Sequence, residues 1–177
     1  MRVWICLLLI VMLPSAVLSQ GKFRNRKEES SITYTMKHAL HEWDGTSKEV
    51  NALMETDAAG EISKVAAVVK VSSFDSKNSN RDSHMLEITD ALTYPNITFV
   101  STAVKNLGGG KYLVKGDISF HGQKRPVEMT VTEEKKEDRR IFSSAFVLLL
   151  EDFKIERPSL MLVKTDNEMK MVLKMVF

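Results

Sequence analysis

Cysteine is nearly absent from this chain. Cys6 is the only one, and it lies inside an apolar N-terminal run, so the rest of the sequence can form no disulfide of its own. Stability must come from a packed core. The roughly 155 residues beyond that run suit one domain, which at this size buries about two-thirds of the surface its unfolded chain exposes. An excess of one charge is also missing. With 25 basic and 23 acidic residues the formal net charge is +2, and no basic field marks a nucleic-acid partner. Internal repeats and low-complexity tracts are lacking too. The apolar run is too short for a permanent membrane helix, which needs roughly 20 such residues.

That run extends from Val3 to Leu13, follows Arg2, and precedes Pro14, Ser15 and Ala16. A basic start, a short apolar stretch and small residues are the marks of a secretory signal peptide. The expectation is a signal over residues 1–19, cleaved near Ser19 to leave Gln20, and export to the periplasm or the extracellular space. Residues 20–30, locally basic from Lys22 to Lys27, read as a flexible, solvated tail. Residues 31–177 are then the folded domain.

Within that domain the dominant signal is period-two alternation broken by turns, as half-buried antiparallel strands require. About eight strands are expected. They lie near 31–38, 46–56, 61–74, 97–104, 111–120, 124–132, 141–150 and 169–177. Ala59-Gly60, Gly108-Gly109-Gly110, His121-Gly122-Gln123 and the charged stretch from Glu133 to Arg140 supply turns. The segment from Asp75 to Pro95 breaks the alternation and carries a short helix, placed at Ser83 to Leu92. Long excursions of this kind often carry function. Sequential strands with short turns and no crossover helices exclude a parallel sheet and predict an all-β, antiparallel barrel or sandwich.

Three stretches make the reading sharper. They are S-F-D-S-K-N-S-N-R-D-S-H at Ser73 to His84, Y-P-N-I-T-F-V-S-T at Tyr94 to Thr102, and G-D-I-S-F-H-G-Q-K-R-P-V at Gly116 to Val127. In this order and spacing they closely resemble the YceI family. Tyr34-Thr35-Met36-Lys37-His38 is similar to that family's first strand, and Trp43-Asp44-Gly45 stands near its next turn. The resemblance covers essentially all of the chain after the signal. It implies a lipocalin-like barrel with an elongated apolar interior holding a polyisoprenoid, an isoprenoid quinone or a similar lipid. One stretch departs from the pattern. Family members often carry Asn-Arg before Asp-Phe-Gly-Ile, whereas here Leu150-Glu151 precedes Asp152-Phe153-Lys154-Ile155.

A barrel of about eight strands is near the size at which side chains either fill the interior or leave room for one ligand. The inward candidates are Phe99, Val114, Ile118, Phe120, Met129, Phe146, Met171, Leu173 and Met175. Ordinary core packing is the plain reading of each. The unbranched methionines, with Met169 among them, also suit a pocket for a flexible chain. Arg81, Asp82 and His84 form the sharpest polar cluster. They either pin the loop to the barrel or meet the head of a lipid, for which a guanidinium suits a carbonyl or a phosphate.

The catalytic and metal motifs are lacking. No cysteine nucleophile remains after cleavage, and there is no G-x-S-x-G elbow, Walker loop or H-E-x-x-H. Asp82 and His84 with Ser83 or Ser73 are better read as loop structure than as a triad. His38 and His41, three apart, should face opposite sides of a regular strand, so no metal site is expected, and no cofactor other than a bound lipid. Asn96-Ile97-Thr98 matches a glycosylation sequon and is read as the start of a strand. The expected function is a non-enzymatic carrier of a long apolar molecule that touches a membrane transiently during ligand exchange. A non-catalytic interaction or stress-related module with a side-chain-filled barrel is the alternative, and a lipid-modifying enzyme is a third reading. Nothing in the sequence specifies a homodimer, although an exposed strand face could form one.

Overall fold

The alternation of apolar and polar residues becomes one continuous antiparallel sheet in the computed structural model, which describes residues 20–160 and 162–177. The proposed signal, 1–19, lies outside the described residues. In chain order the strands are β1 (Lys22–Arg24), β2 (Ser31–His38), β3 (His41–Ser47), β4 (Asn51–Thr56), β5 (Ile62–Lys70), β6 (Asn96–Gly108), β7 (Lys111–Phe120), β8 (Gln123–Lys136), β9 (Arg139–Leu149), β10 (Ser159–Leu160), β11 (Val163–Lys164) and β12 (Glu168–Val176). One helix, α1 (Ser79–Ile88), interrupts them between β5 and β6.

Ten strands form a strongly curled half-barrel in the order β1-β4-β5-β6-β7-β8-β9-β12-β2-β3. β10 and β11 form a separate small hairpin. The count exceeds the expected eight for two local reasons. The stretch expected as one strand over 46–56 turns a corner at Lys48 to Val50, where the Glu49 N–H is held by the Ser47 hydroxyl at 3.1 Å. The other addition is β1, in the expected tail. Lys22–Arg24 pair with β4, Asn25 bonds Ala52 through both backbone and side chain, and the Arg26 N–H donates to the Val176 carbonyl at 2.6 Å. Residues 22–26 therefore lace β4 to β12.

The far edge, β3, meets the chain after β5 at the bridge Thr46–Asp75, backed by a 2.6 Å hydrogen bond between the Ser47 and Ser73 hydroxyls. α1 begins earlier than its expected Ser83 because Asn78 caps it. The Asn78 side chain accepts from the Arg81 N–H at 3.1 Å, satisfying one of the orphan donors of the first turn.

The glycine turn after β6 has all three glycines at positive φ, from 60° to 82°, a region that costs glycine nothing. On β7 the inward face reads Tyr112, Val114, Gly116, Ile118 and Phe120, each of them buried. Gly116 is a close-approach glycine, for a Cβ there would run into the Phe99 ring and the Val100 carbonyl. The core lies within the curl of the sheet, with Met169, Met171 and Met175 of β12 facing the β7 row across it.

Candidate ligand-binding cavity

The inward side chains do not fill the curl. A lower chamber of about 140 Å³ is lined by side chains of β4 to β9 and β12, almost all of them apolar. An upper chamber of about 260 Å³ lies under α1. The two share Ile97, Met169 and Met171, which form a waist between them. The lower chamber, with its almost wholly apolar lining, offers water few partners.

The lower end is closed by rings. Phe142 stands 6.2 Å from Tyr112 and 5.7 Å from Phe177, measured between ring centres. The Tyr112 hydroxyl donates to Glu133 at 2.9 Å, and Arg140 Nε holds the same carboxylate at 2.6 Å. Burial alone would raise the Glu133 carboxyl. The hydrogen bonds from Arg140 and Tyr112 more than offset it and leave the group below the usual carboxylate range. A polar cluster therefore stands at one end of the apolar chamber.

The upper chamber has a mixed rim. Tyr34, His38, His41, Trp43, Arg81, His84 and Thr165 line it together with Met36, Phe74, Met85 and Ile88. The Arg81 guanidinium stands 5.2 Å from the Trp43 ring centre and donates to the Ser76 carbonyl at 3.4 Å. Burial, and then the negative charge of Asp82, push the Tyr34 hydroxyl up to about 12, so it keeps its proton at any physiological pH.

All nine apolar candidates line one or both chambers. Phe99, Val114, Ile118, Met129, Phe146, Leu173 and Met175 stand in the lower one, Phe120 in the upper one, and Met171 at the waist. The polar three divide. Arg81 and His84 line the upper chamber, whereas Asp82 turns back to accept the Ser76 N–H at 3.1 and 3.3 Å.

Sequence reasoning put His38 and His41 on opposite faces, and the structure reverses this. They flank a two-residue turn and are direct cross-strand partners, with ring centres 5.7 Å apart and His41 5.1 Å from Trp43. His38 is spoken for: Nδ1 accepts from the Leu40 N–H at 3.3 Å and Nε2 donates to the Val163 carbonyl at 3.0 Å. Among the described residues no three His, Cys, Asp or Glu side chains gather as metal ligands would.

The residues missed in the sequence are those of the upper chamber, above all Tyr34, Met36, Trp43 and Thr165. Tyr34 and Met36 alternate along β2 and could have been read as inward. Thr165, in an irregular loop, carried no signal. Arg157 spans that loop, donating to the Thr165 carbonyl at 2.8 Å and pairing with Glu151 at 3.3 Å.

A strongly curled antiparallel sheet, with one helix over a two-chambered interior, defines a lipocalin-like class of all-β protein. The chain belongs to the YceI-like domain family, whose model matches residues 23–177. A UPF0312 protein of Pseudomonas putida is 32% identical, with 82% of this chain and 85% of that protein covered. A UPF0312 protein of Pseudomonas syringae pv. syringae is 33% identical over 73% of this chain and 69% of its own length. Among solved structures, Burkholderia cenocepacia BcnA superposes with a TM-score of 0.78 at 22% identity, covering 86% of this chain and 99% of its own. A polyisoprenoid binding domain from Saccharophagus degradans, implicated in plant cell wall breakdown, gives 0.72 at 12% identity over 90% and 97%. At these identities the structures share the fold.

Proposed function

We propose that this protein is an exported carrier that holds one long apolar molecule, a polyisoprenoid or an isoprenoid quinone, along its two chambers. The observation that carries this reading is the pair of adjoining chambers, which share Ile97, Met169 and Met171 as wall, the lower of them lined almost wholly by apolar side chains. The description of the Saccharophagus degradans domain as polyisoprenoid binding supports it, as do the signal-like features of residues 1–19.

The energetics favour a long chain over a small ring. Each buried methylene contributes roughly 0.8 kcal/mol, and micromolar affinity needs about 8 kcal/mol net. Two isoprene units reach that value only before the cost of ordering the chain, so useful affinity needs more of them. The waist then acts as a gauge, since a ligand must thread it to occupy both chambers.

Binding without turnover is the reading the rim supports. Ser73 is engaged with Ser47 and the Lys70 carbonyl, Asp82 with Ser76, and His84 with Glu87 at 3.6 Å. These groups point at separate partners rather than converging on one reacting atom. A filled-barrel interaction module is disfavoured by the open interior.

Exchange with a membrane is proposed at the upper end. Leu40, 68% exposed, and Leu162, 99% exposed, stand at the tips of two hairpins that the His38–Val163 hydrogen bond ties together beside the upper chamber. Exposed leucines at such a mouth suit transient insertion into a bilayer surface.

The test is to express the chain with its leader in a bacterial periplasm, purify it without detergent, and record native mass spectra followed by solvent extraction. A stoichiometric added mass that extracts as a long apolar chain is expected. A bare protein that also refuses added isoprenoids would overturn the carrier reading in favour of the interaction module.

A further inference from the structure

We infer that the interior encloses about three isoprene units, so that the protein selects isoprenoids near fifteen carbons over chains of twice that length. The inference rests on the carrier reading and narrows its ligand by chain length.

The space begins with two small residues. Ala52 of β4 and Ala67 of β5 are cross-strand partners, and Ala67 pairs in turn with Phe99 of β6. All three pack against the core and line the lower chamber, yet each is only half-buried. The two alanines present bare methyl groups to the interior where larger side chains would reach across it.

Volume sets the length. An engineered apolar cavity of about 150 Å³ takes one benzene, a six-carbon ring. On that scale the lower chamber, about 140 Å³, holds about one isoprene unit, and the upper chamber, about 260 Å³, holds about two. The chambers adjoin across Ile97, Met169 and Met171, and the two methionines, unbranched and adaptable, can part for a chain. A fourth unit finds no enclosed place downward. Phe142 and Phe177 line that end, and Arg140 lies 5.2 Å from the Phe142 ring centre while pairing with Glu133 at 2.6 Å. A longer tail would have to displace the rings and break into that half-buried ion pair. Surplus units therefore emerge above the upper chamber into water, where each methylene forgoes its burial.

Alcohols that differ only in length test the limit: geraniol, farnesol, geranylgeraniol and hexaprenol, of two, three, four and six isoprene units. The exported protein, stripped of lipid by solvent, is offered pairs of them in phosphatidylcholine vesicles. Occupancy is read by native mass spectrometry once the vesicles are removed. In the vesicle every unit is already out of water, so a unit enclosed by the protein gains little and a unit left protruding loses much. Farnesol should therefore outcompete hexaprenol by at least about tenfold, with geranylgeraniol between them. Ala67→Phe places a benzene-sized ring in the lower chamber. It should lower farnesol uptake by at least about tenfold and leave unchanged the uptake of geraniol, which the upper chamber alone accommodates. Ala52→Leu, a smaller filling from the facing strand, should act in the same direction and serves if the ring prevents folding. Hexaprenol taken up as well as farnesol or better would overturn the length limit, and so would farnesol uptake that a folded, filled variant leaves untouched. Either result would leave the carrier reading intact. Uptake of none of the four alcohols would instead remove the carrier reading on which the limit rests.

Discussion

The ring of Tyr34 lies over the Cα of Gly45, its cross-strand partner, and occupies the space that a Cβ on Gly45 would need. An aromatic side chain covering a strand glycine both shields the backbone and fixes the register of the pair. Gly45→Ala should displace the Tyr34 ring into the upper chamber and cost about 1–3 kcal/mol, the range for overpacking a formed core. Chemical denaturation checks the stability, and the same variant should hold less ligand.

Met171 stands at the waist, in the walls of both chambers. Met171→Trp should narrow the passage and exclude long chains from the lower chamber. Retention of a six-isoprene chain should fall at least about tenfold, which corresponds to about 1.4 kcal/mol, with a folded far-ultraviolet circular dichroism spectrum. Unchanged retention would mean that the ligand lies elsewhere.

Glu133 is 3% exposed at its side chain and ionised between Arg140 and Tyr112. Its carboxyl is held below the ordinary range, so its contribution to stability is fully present above the unfolded pKa of about 4.3 and is lost as pH falls through the lower folded value. Glu133→Gln should cost about 1–2 kcal/mol at pH 7. The gap from wild type should close as the solution is acidified below that unfolded pKa. Melting curves between neutral and strongly acidic pH follow it directly.

Asp82 meets backbone rather than cavity. Asp82→Ala leaves the Ser76 N–H without its acceptor and should destabilise the loop by about 1–3 kcal/mol. The identity of the bound lipid should not change. A switch in ligand class, read from the extracted mass, would instead show Asp82 in contact with the head.

Leu162 is an almost wholly exposed hairpin-tip residue, so Leu162→Asp should alter stability by no more than about 0.5 kcal/mol. Transfer of an isoprenoid from vesicles to the protein should slow several-fold, with equilibrium occupancy unchanged. Transfer at the wild-type rate would remove this lip from the exchange path.

Much of the barrel wall was legible because its physics is local. Met169, Met171, Leu173 and Met175 alternate with Lys170, Val172 and Lys174, and a register of two admits one inward face. Gly108 to Gly110 announced a turn that the positive φ values require. What escaped depends on pairings distant in sequence. Lys22–Arg24 carry no strand pattern and become β1 only because β4 offers an open edge. His38 and His41 share a face because a tight turn falls between them, which a spacing of three cannot reveal. The upper chamber was hidden for the same reason, since β2, β3, α1 and the loop carrying Thr165 meet only in the folded chain.

The junction between β3 and the chain after β5 is a single bridge, Thr46–Asp75, backed by the Ser47–Ser73 hydroxyl pair, whereas β9–β12 and β7–β8 share long ladders. A fully hydrogen-bonded barrel has its girth set by strand number and shear. This molecule is closer to a clasp, sewn along most of its circumference and fastened at one short junction. Few hydrogen bonds, those of the bridge and the Ser47–Ser73 hydroxyl pair, hold that seam, so less has to break there than along the β9–β12 or β7–β8 ladders.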